Sequence, residues 1–543
     1  MNTNASPAFP QTPPENKAQN VSVSTGDVIL AWLSLFTGYL FCRVVPVSKN
    51  PLGGFLFLAI LFVGTAILLA AKGKKLRGLP FCAFTSALLC IFSLILCANA
   101  GIQALSFLFC LVAYAYFVYG TAGCTLEPGF SELLPMDLLK STVCMPFLSF
   151  GAVFSAIGNK KSGHVGAVIG KILIGLSIAF IPTGIVLLLL SYDSAFCDLL
   201  EKIFDFNWET IGSHIVSILI GVPIGIYLYG LYRSSIDNRA SEVLTAERCH
   251  AAAGKARIFS ALTACAAVTP ILFLYVIFFI SQWDYYVAAF FHRLPTAGDA
   301  LSLYSDYARE GFFELCTVSA LNLLVLSVCG LFAKREKTVQ RVVLKIINSA
   351  YALSTLILIA TALAKMKLYI DRLGLTPLRV YASWFMLVLA VLFLLILIRQ
   401  IVPRLPLLAL SVCLCALLYC LPVLNNVDAR IADYNVNRYL AGTLESIDFE
   451  AMEELGDSAV PALVRLARTL DEKNGTDISA EKPEKSDDGL PYYIHSSLST
   501  YEQLRYCLWN KAGKQDSGGL FSFTVPRLRA RKALASIGFT YRQ

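Results

Sequence analysis

The sequence predicts an all-α polytopic membrane protein of about eleven transmembrane helices with a small C-terminal extracytoplasmic helical domain. Three observations lead to this fold class. Of the 543 residues, 56% are hydrophobic and only 15% are charged, whereas a soluble domain needs more charge to cover its surface. Apolar runs of roughly 20 residues, the length that crosses a bilayer, recur along the chain. After the last of these runs the composition turns polar.

The amino-terminal segment, residues 1–26, is rich in Pro, Asn, Ser and Gln. It lacks the basic n-region and the small-residue cleavage site of a secretory signal peptide. We therefore expect a disordered cytoplasmic tail. The transmembrane bundle is expected over residues 27–424. Its predicted spans are residues 27–45, 51–71, 79–98, 101–122, 167–191, 211–232, 261–282, 311–332, 346–367, 380–401 and 405–424.

One further apolar stretch, residues 137–157, competes for a place among the spans. Its sequence is DLLKSTVCMPFLSFGAVFSAI, in which Asp137, Lys140 and Pro146 leave only short apolar pieces. Charged residues are costly in the hydrocarbon, and the pieces are too short to cross it. We expect an interfacial or re-entrant segment.

Charge in the loops sets the expected orientation. The net charge of +8 is concentrated in three loops, whereas loops 192–210 and 283–310 lean acidic. Short cytoplasmic loops carry the excess of Lys and Arg, so the basic loops and the amino terminus are expected in the cytoplasm. All three basic loops share one side only if residues 137–157 do not cross. An odd number of spans then places everything after Leu424 outside. The cations of the basic loops are Lys72, Lys74, Lys75 and Arg77; Arg233, Arg239, Arg248, Lys255 and Arg257; and Lys334, Arg335, Lys337, Arg341 and Lys345.

Charged residues also stand on the outer side, against this bias, and they define a candidate polar belt. Glu314 falls about one turn inside a predicted span, where an unpaired carboxylate is costly. We therefore expect either a basic partner, with Lys365 or Arg43 as the candidates, or a protonated carboxyl. Three explanations remain open: lysines that snorkel to anionic headgroups, ion pairs that pin helices together, and a substrate site. The predicted belt consists of Arg43, Tyr307, Arg309, Glu310, Glu314, Lys365, Tyr369, Arg372, Arg379, Asp428 and Asp433.

Common catalytic signatures are missing from the sequence. It contains no HExxH, GxxxxGK[ST], GxSxG or EF-hand pattern, so no catalytic residue is predicted, and an enzyme stays an open alternative. The 16 cysteines lie mostly in or beside spans, where a thiol acts as a small apolar side chain. Cys413, Cys415 and Cys420 have no His or carboxylate nearby, so neither a metal site nor a cofactor is predicted.

The polar region, residues 425–543, is expected to form a helical domain. The stretch GDSAVPALVRLA has apolar residues at helical spacing and a Pro near its start, which predicts a helix. Residues 471–491 combine Gly, Pro, Ser and mixed charge, which predicts a flexible loop. A last helix is predicted through VPRLRARKALASI. Its basic cluster is either solvated or in contact with anionic lipid headgroups or a partner, and consists of Arg527, Arg529, Arg531 and Lys532.

The stretches YAREGF, LYIDRLGLTPLR, DARIADYNVNRYL, LGDSAVPAL and RLRARKAL carry a family resemblance. They resemble the bacterial multi-pass membrane proteins grouped as domain of unknown function 4173, which is related to the 4153 group. Near the chain end, Gly518 and Gly519 stand where a Trp and an Arg are more typical. The resemblance implies a bacterial membrane architecture and brings no assigned activity. It falls on Tyr307, Arg309 and Gly311, on Tyr369, Gly374, Thr376 and Arg379, and on Asn435, Arg438 and Tyr439.

These features predict a bacterial plasma-membrane protein with a sensing, scaffolding or envelope-maintenance role exerted through the external domain. The alternative is a transporter or lipid-handling protein in which the same charges line an outward-facing polar cavity. The expected partners are the lipid bilayer and either anionic lipid headgroups or a membrane or envelope protein. No nucleic-acid partner is expected.

Overall fold

The structure, a computed structural model, describes residues 24–45, 47–157, 208–281, 300–334, 338–479, 499–513 and 520–539, together with Val186, Leu190 and Asp193. These residues are overwhelmingly helical, and none of them belongs to a β-sheet. The predicted all-α fold class is therefore confirmed.

The helices fall into three groups along the chain. The first group is α1 Thr25–Val44, α2 Pro51–Ala71, α3 Leu79–Leu96, α4 Ala100–Thr121, α5 Leu134–Leu139, α6 Met145–Leu148 and α7 Ala152–Ile157. The second group is α8 Trp208–Ile236, α9 Ala246–Ala256, α10 Ala261–Ser281, α11 Ala300–Phe332, α12 Thr338–Leu373, α13 Pro377–Ile401 and α14 Leu407–Leu424. The third group is α15 Val427–Leu440, α16 Phe449–Glu454, α17 Val460–Asn474, α18 Thr500–Gly513 and α19 Val525–Ala535.

Ten helices of the described part of the chain are long and apolar enough to cross a membrane. They are α1 to α4, α8 and α10 to α14, and each corresponds to a predicted span. Large apolar side chains point away from the protein on these helices, as at Ile60, which is 70% exposed. Such a surface is stable where lipid covers it. The remaining predicted span, residues 167–191, lies outside the described residues except for Val186 and Leu190.

Residues 137–157 form a broken helix. The helix α5 continues through a π-helical turn, Lys140–Cys144, into α6, and turns at residues 149–151 separate this stretch from the six-residue helix α7. None of these pieces has the length of a span. Their interfacial or re-entrant position remains a prediction.

The chain divides into two compact units, and the smaller one comprises residues 1–40 and 149–230. In it, α1 crosses α8 at glycines. A Cβ on Gly225 would lie 2.6 Å from the Leu35 Cα, and a Cβ on Gly221 would lie 2.8 Å from the Gly38 carbonyl oxygen. Only glycine permits so close an approach of two backbones, which is the small-residue packing that membrane helices favour. Val153, Ala156 and Tyr229 complete the core of this unit.

The larger unit comprises residues 41–148 and 231–543. In one part of it, α10 to α13 surround a core that includes Phe312, Tyr351 and Phe393. Elsewhere, α2 to α4 pack with α14. The C-terminal domain, residues 425–539, belongs to the same unit. The functional site lies where this domain meets the spans.

The C-terminal domain has its own apolar core. Val436, Leu463, Leu466, Leu508 and Leu534 are fully buried in it, and all except Val436 are Leu residues from α17 to α19. The helix predicted from GDSAVPALVRLA is present as a 3₁₀ turn, Gly456–Ala459, followed by α17. That helix continues through Asn474, four residues into the segment expected as a loop. Residues 480–491 of that segment lie outside the described chain.

The turn between α12 and α13 is part of this core as well. Leu375 and Val380 pack against the buried residues of the C-terminal domain. The turn that joins two adjacent spans, α12 and α13, is therefore covered by the C-terminal domain. This contact positions the site.

Candidate functional site

The α12–α13 turn is built from residues that stop one helix and start the next. Gly374 follows the last residue of α12 with φ +76°, the left-handed conformation that glycine adopts at low cost after a helix. The Thr376 hydroxyl then accepts a hydrogen bond from the Arg379 amide at 3.4 Å, and Pro377 occupies the first position of α13. Threonine caps and prolines at this position favour helix starts.

Asn435 of α15 holds this turn through its side-chain amide. Its Oδ1 accepts from the Leu375 amide at 2.7 Å, and its Nδ2 donates to the Leu375 carbonyl at 2.7 Å. Asn435 is 3% exposed. Its side-chain amide is the hydrogen-bond partner of both the N–H and the carbonyl of Leu375. A Cβ on Gly374 would lie 2.6 Å from the same Oδ1. The close contact therefore requires glycine at position 374.

Two arginines bind the carbonyl end of α12. The Arg438 guanidinium donates to the Ile370 and Asp371 carbonyls at 3.2 and 2.8 Å. The Arg379 guanidinium donates to the Leu373 and Gly374 carbonyls at 3.1 and 2.5 Å. The last carbonyls of a helix lack partners within the helix and carry its negative dipole end. We call Asn435, Arg438 and Arg379, with the backbone they bind, the turn clamp.

Side-chain contacts strengthen the turn clamp. The Arg379 guanidinium carbon lies 4.2 Å from the centre of the Tyr369 ring, a cation–π distance. Arg372 pairs with Glu445 of the C-terminal domain at 3.3 Å, with side chains 47% and 81% exposed. An ion pair this exposed contributes little to stability. The hydrogen bonds of Asn435 and Arg438 to the backbone, rather than this ion pair, therefore attach the domain to the turn.

Asp428 makes a second contact between the C-terminal domain and the spans. Its side chain is 2% exposed and accepts from the Tyr381 hydroxyl at 3.1 Å, and Asn99 also hydrogen-bonds it. Burial raises the pKa of the Asp428 carboxyl above its usual range, although both hydrogen bonds favour the charged form. A carboxyl that is costly to ionise thus lies at the junction.

Lys365 is buried in the spans beside Gly311. Its side chain is 3% exposed, and a Cβ on Gly311 would lie 2.9 Å from its Nζ. The absence of a side chain at Gly311 therefore makes the room for the ammonium group. Glu314, one turn further along α11, is exposed at its side chain and interacts electrostatically with Lys365. This is one of the two partners expected for Glu314.

The other predicted belt residues are distributed differently. Arg43 is exposed in the last turn of α1. Asp433 pairs with Arg465 at 3.0 Å, so this ion pair lies within the C-terminal domain. Tyr307, Arg309 and Glu310 lie in α11, and their side chains are outside the described part of the structure.

A buried polar network links three of the spans. The Tyr275 and Tyr351 hydroxyls both donate to the Asn322 Oδ1, at 2.6 and 2.7 Å. The Asn322 Nδ2 donates to the Thr355 hydroxyl at 3.0 Å. This network ties α10, α11 and α12 together, as polar side chains between membrane helices commonly do. Asn348, one turn before Tyr351 on α12, is buried, and its Oδ1 has no hydrogen-bond partner among the described residues.

A further ionisable cluster lies away from the belt, in the broken helix. Asp137 and Lys140 are each 2% exposed. The Asp137 Oδ1 accepts from the Tyr119 hydroxyl at 2.7 Å and from the Leu126 amide at 2.9 Å, and Lys140 donates to the Leu244 carbonyl. Burial raises the pKa of Asp137 and lowers that of Lys140. Both groups are thus used to join the broken helix to neighbouring segments.

The polar groups of these sites attach segments of the protein to one another. The turn clamp donates its N–H groups to backbone carbonyls, and among the described residues no group of three or more His, Cys, Asp or Glu could hold a metal ion. Sequence reasoning found Arg379, Arg372 and Asp428 because they are charged. The family resemblance marked Gly311, Asn435 and Arg438. Sequence reasoning missed Tyr381, since an uncharged residue in a span gives no signal until its neighbour is known.

The fold and these contacts define a multi-pass integral membrane protein with a C-terminal domain joined to its spans. The chain belongs to the family described as Domain of unknown function (DUF4153), whose model matches residues 28–466. The match extends from the first span into α17 and includes the turn clamp. No curated protein and no solved structure matches the chain.

Proposed function

We propose that this protein acts through its C-terminal domain in sensing, scaffolding or envelope maintenance at a bacterial plasma membrane. The amino terminus then lies in the cytoplasm and the C-terminal domain outside, as the basic loops suggest. The motifs LYIDRLGLTPLR and DARIADYNVNRYL support a further relationship to the 4173 group, which is related to this family.

The observation that carries the proposal is that the polar groups of the turn clamp are hydrogen-bonded to the protein's own backbone. Arg379 and Arg438 direct their donors to the carbonyl end of α12, and Asn435 binds Leu375 with both polar atoms. The hydrogen bonds of Asn435 and Arg438 join the domain to the turn between two spans, and those of Arg379 fix the turn itself. The arrangement of these hydrogen bonds suits the transmission of a force or a displacement between the domain and the membrane helices.

Complementation of a gene deletion tests this role. The variant Asn435→Ala with Arg438→Gln weakens the attachment, and Glu314→Gln removes an exposed belt charge while leaving the attachment intact. We expect the first variant, at parental abundance in the membrane, to fail in restoring envelope integrity and the second to restore it. Restoration by the first variant and failure of the second would refute the proposal.

Orientation is tested independently by a tag at Gln543 in intact cells. We expect the tag to be accessible to an antibody without permeabilisation. A tag that is reached only after permeabilisation would place the C-terminal domain in the cytoplasm and reject an external role.

A transporter or lipid-handling protein is the second candidate. The observation that favours it is the buried Asn348 Oδ1 beside the Asn322 network, because a buried acceptor without a partner suits a water or a polar ligand. A carrier needs a water-accessible cavity. Cysteines introduced at Thr317 and Leu321 discriminate: labelling of both by an impermeant reagent, above the parental level, supports a cavity, and protection of both supports the scaffold.

A further inference from the structure

A short apolar segment of the C-terminal domain lies against the start of a span. The segment is the 3₁₀ turn Leu520–Ser522 with the residues that follow it. A Cβ on Gly53, the third residue of α2, would lie 3.8 Å from the Phe521 ring. Phe521 is nevertheless 54% exposed, and Phe523 is 37% exposed. The domain thus presents Phe521 beside a transmembrane helix, and a second exposed aromatic side chain, Phe523, follows two residues later.

The position of Gly53 fixes the depth of this contact. The helix α2 has 21 residues, which at about 1.5 Å per residue matches a hydrocarbon thickness of about 30 Å. The first turn of α2 therefore lies at the boundary between hydrocarbon and headgroups. Phe521, which touches that turn, lies at the same boundary, where aromatic side chains are favoured.

The direction of the contact is set by the exposed face of α2. Leu56, Ile60, Val63 and Ile67 are 42%, 70%, 46% and 64% exposed and recur at helical spacing. Gly53 precedes Leu56 by three residues and shares this face. An apolar face of a span that the protein leaves uncovered is covered by lipid. Phe521 consequently caps a lipid-facing stripe.

The following helix, α19, carries positive charge close to this segment. Leu528, Arg529 and Lys532 are exposed on α19, and Leu528 and Lys532 share one face at a spacing of four residues. The opposite face buries Ala530 and Leu534 in the domain core. Contact of α19 with α3 holds the helix beside the spans. Basic and apolar side chains that are exposed together beside spans match the chemistry of an anionic lipid surface.

The segment is held in place by its own hydrogen bonds. The Arg527 guanidinium donates to the Ser522 hydroxyl at 3.0 Å, and the Thr524 hydroxyl caps α19 at the Arg527 amide. Since the turn and the helix are fixed to each other, the aromatic residues lose little conformational freedom when lipid covers them.

We propose that Phe521, Phe523 and Leu528 insert into the bilayer boundary beside α2, and that Arg529 and Lys532 bind the headgroups of anionic lipids there. We call these residues the leaflet anchor. The anchor is a second attachment of the C-terminal domain, made to lipid and separate from the turn clamp. It stands on the contact with α2 and does not require the proposed function.

Photo-crosslinking of the full chain tests the anchor. The photoreactive amino acid p-benzoylphenylalanine is placed at Phe523 in nanodiscs of phosphatidylcholine and phosphatidylglycerol, and adducts are identified by mass spectrometry. Ile60 serves as the lipid-facing control site and Glu472, exposed at the end of α17, as the control site in the domain. We expect lipid adducts at positions 523 and 60 and none at 472.

The charge requirement is tested in the same nanodiscs. We expect phosphatidylglycerol to be enriched in the position-523 adducts, and Arg529→Gln with Lys532→Gln to reduce that enrichment by up to about thirtyfold, since two cations near an anionic surface contribute about 1 kcal/mol each. Lys473→Gln, an exposed cation of the same domain, is expected to leave it unchanged. Unchanged enrichment after removal of both charges would overturn the headgroup contact. Adducts at position 523 to a second copy or another protein, or none while position 60 labels lipid, would overturn the anchor itself.

Discussion

Asn435 and Leu375 form a reciprocal pair in which one side-chain amide satisfies both backbone groups of a residue 60 positions earlier in the chain. Both hydrogen bonds measure 2.7 Å. Leu375 lies in the turn between two spans and Asn435 in the first helix of the C-terminal domain. The pair therefore joins the membrane bundle to the domain that follows it.

Replacement of Asn435 by Ala is expected to destabilise this junction. The change removes the partner of a half-buried N–H and a half-buried carbonyl of Leu375, at a cost of about 1 kcal/mol for each hydrogen bond. The measurement is the thermal unfolding midpoint of the purified protein in mild detergent. Asn437→Ala is the matched control, because Asn437 lies on the same helix, is exposed, and bonds only the exposed Arg465 in the described structure. Equal midpoints for the two variants would contradict the role of Asn435.

Gly374→Ala is expected to be more destabilising than Gly442→Ala. Both glycines have positive φ, +76° and +71°, so both substitutions incur the conformational cost of about 1 to 2 kcal/mol. At Gly374 the new Cβ would also lie 2.6 Å from the Asn435 Oδ1, whereas nothing lies within 4 Å of the Cβ at Gly442. The difference between the two variants in free energy of unfolding measures the cost of the contact between the new Cβ at position 374 and Asn435. A larger loss of stability for Gly442→Ala than for Gly374→Ala would show that the turn clamp tolerates a displacement of Asn435.

Gly311→Ala is expected to lower stability through Lys365. The added Cβ would lie 2.9 Å from the Lys365 Nζ, and the ammonium group must move within a buried site. Gly330→Ala on the same helix is the control, since nothing lies within 4 Å of its Cβ, and it is expected to be neutral. In a double-mutant cycle, Lys365→Met should recover part of the loss at Gly311. Additive effects in the cycle would exclude a contact between these two residues.

Asp428 is expected to make the stability of the protein depend on pH. Because burial raises its pKa in the folded state, its contribution is fully present below the unfolded-state pKa of about 4 and is lost as the pH rises through the folded-state pKa. Asp428→Asn keeps an acceptor for the Tyr381 hydroxyl and carries no charge. The variant should therefore gain stability relative to the parent as the pH rises from 4 towards 7.

The measurement for Asp428 is the difference in unfolding midpoint between variant and parent across that range. Asp433→Asn is the control, because Asp433 is 51% exposed in its pair with Arg465, and its removal should not produce the same gain. A difference for Asp428→Asn that stays constant with pH would show that the carboxyl keeps an ordinary pKa.

Much of the membrane fold follows from the sequence because the bilayer has a fixed thickness. Predicted spans such as 51–71 and 79–98 correspond closely to α2 Pro51–Ala71 and α3 Leu79–Leu96. Boundaries shift where a helix continues beyond the hydrocarbon, as in α12 Thr338–Leu373, which is longer than the predicted span 346–367. Helical continuation into water depends on capping and tertiary contacts, which hydropathy does not report.

The candidate site was predictable as a list of belt residues and of positions in the family resemblance, such as Asn435, but without the contacts between them. Charge marked Arg372, Arg379 and Asp428, but their partners are Glu445, the Gly374 carbonyl and Tyr381. Partner choice depends on which segments become neighbours in space. A single sequence does not show which segments become neighbours.

The sequence by itself determined the class of the protein, because apolar runs of span length have one stable environment, and the bilayer sets that length. The tertiary structure alone decided how the C-terminal domain is attached. Asn435 reaches Leu375, and Lys365 fits against Gly311, through distances of a few ångströms between segments far apart in the chain. Such contacts arise from packing, which no local pattern of residues specifies.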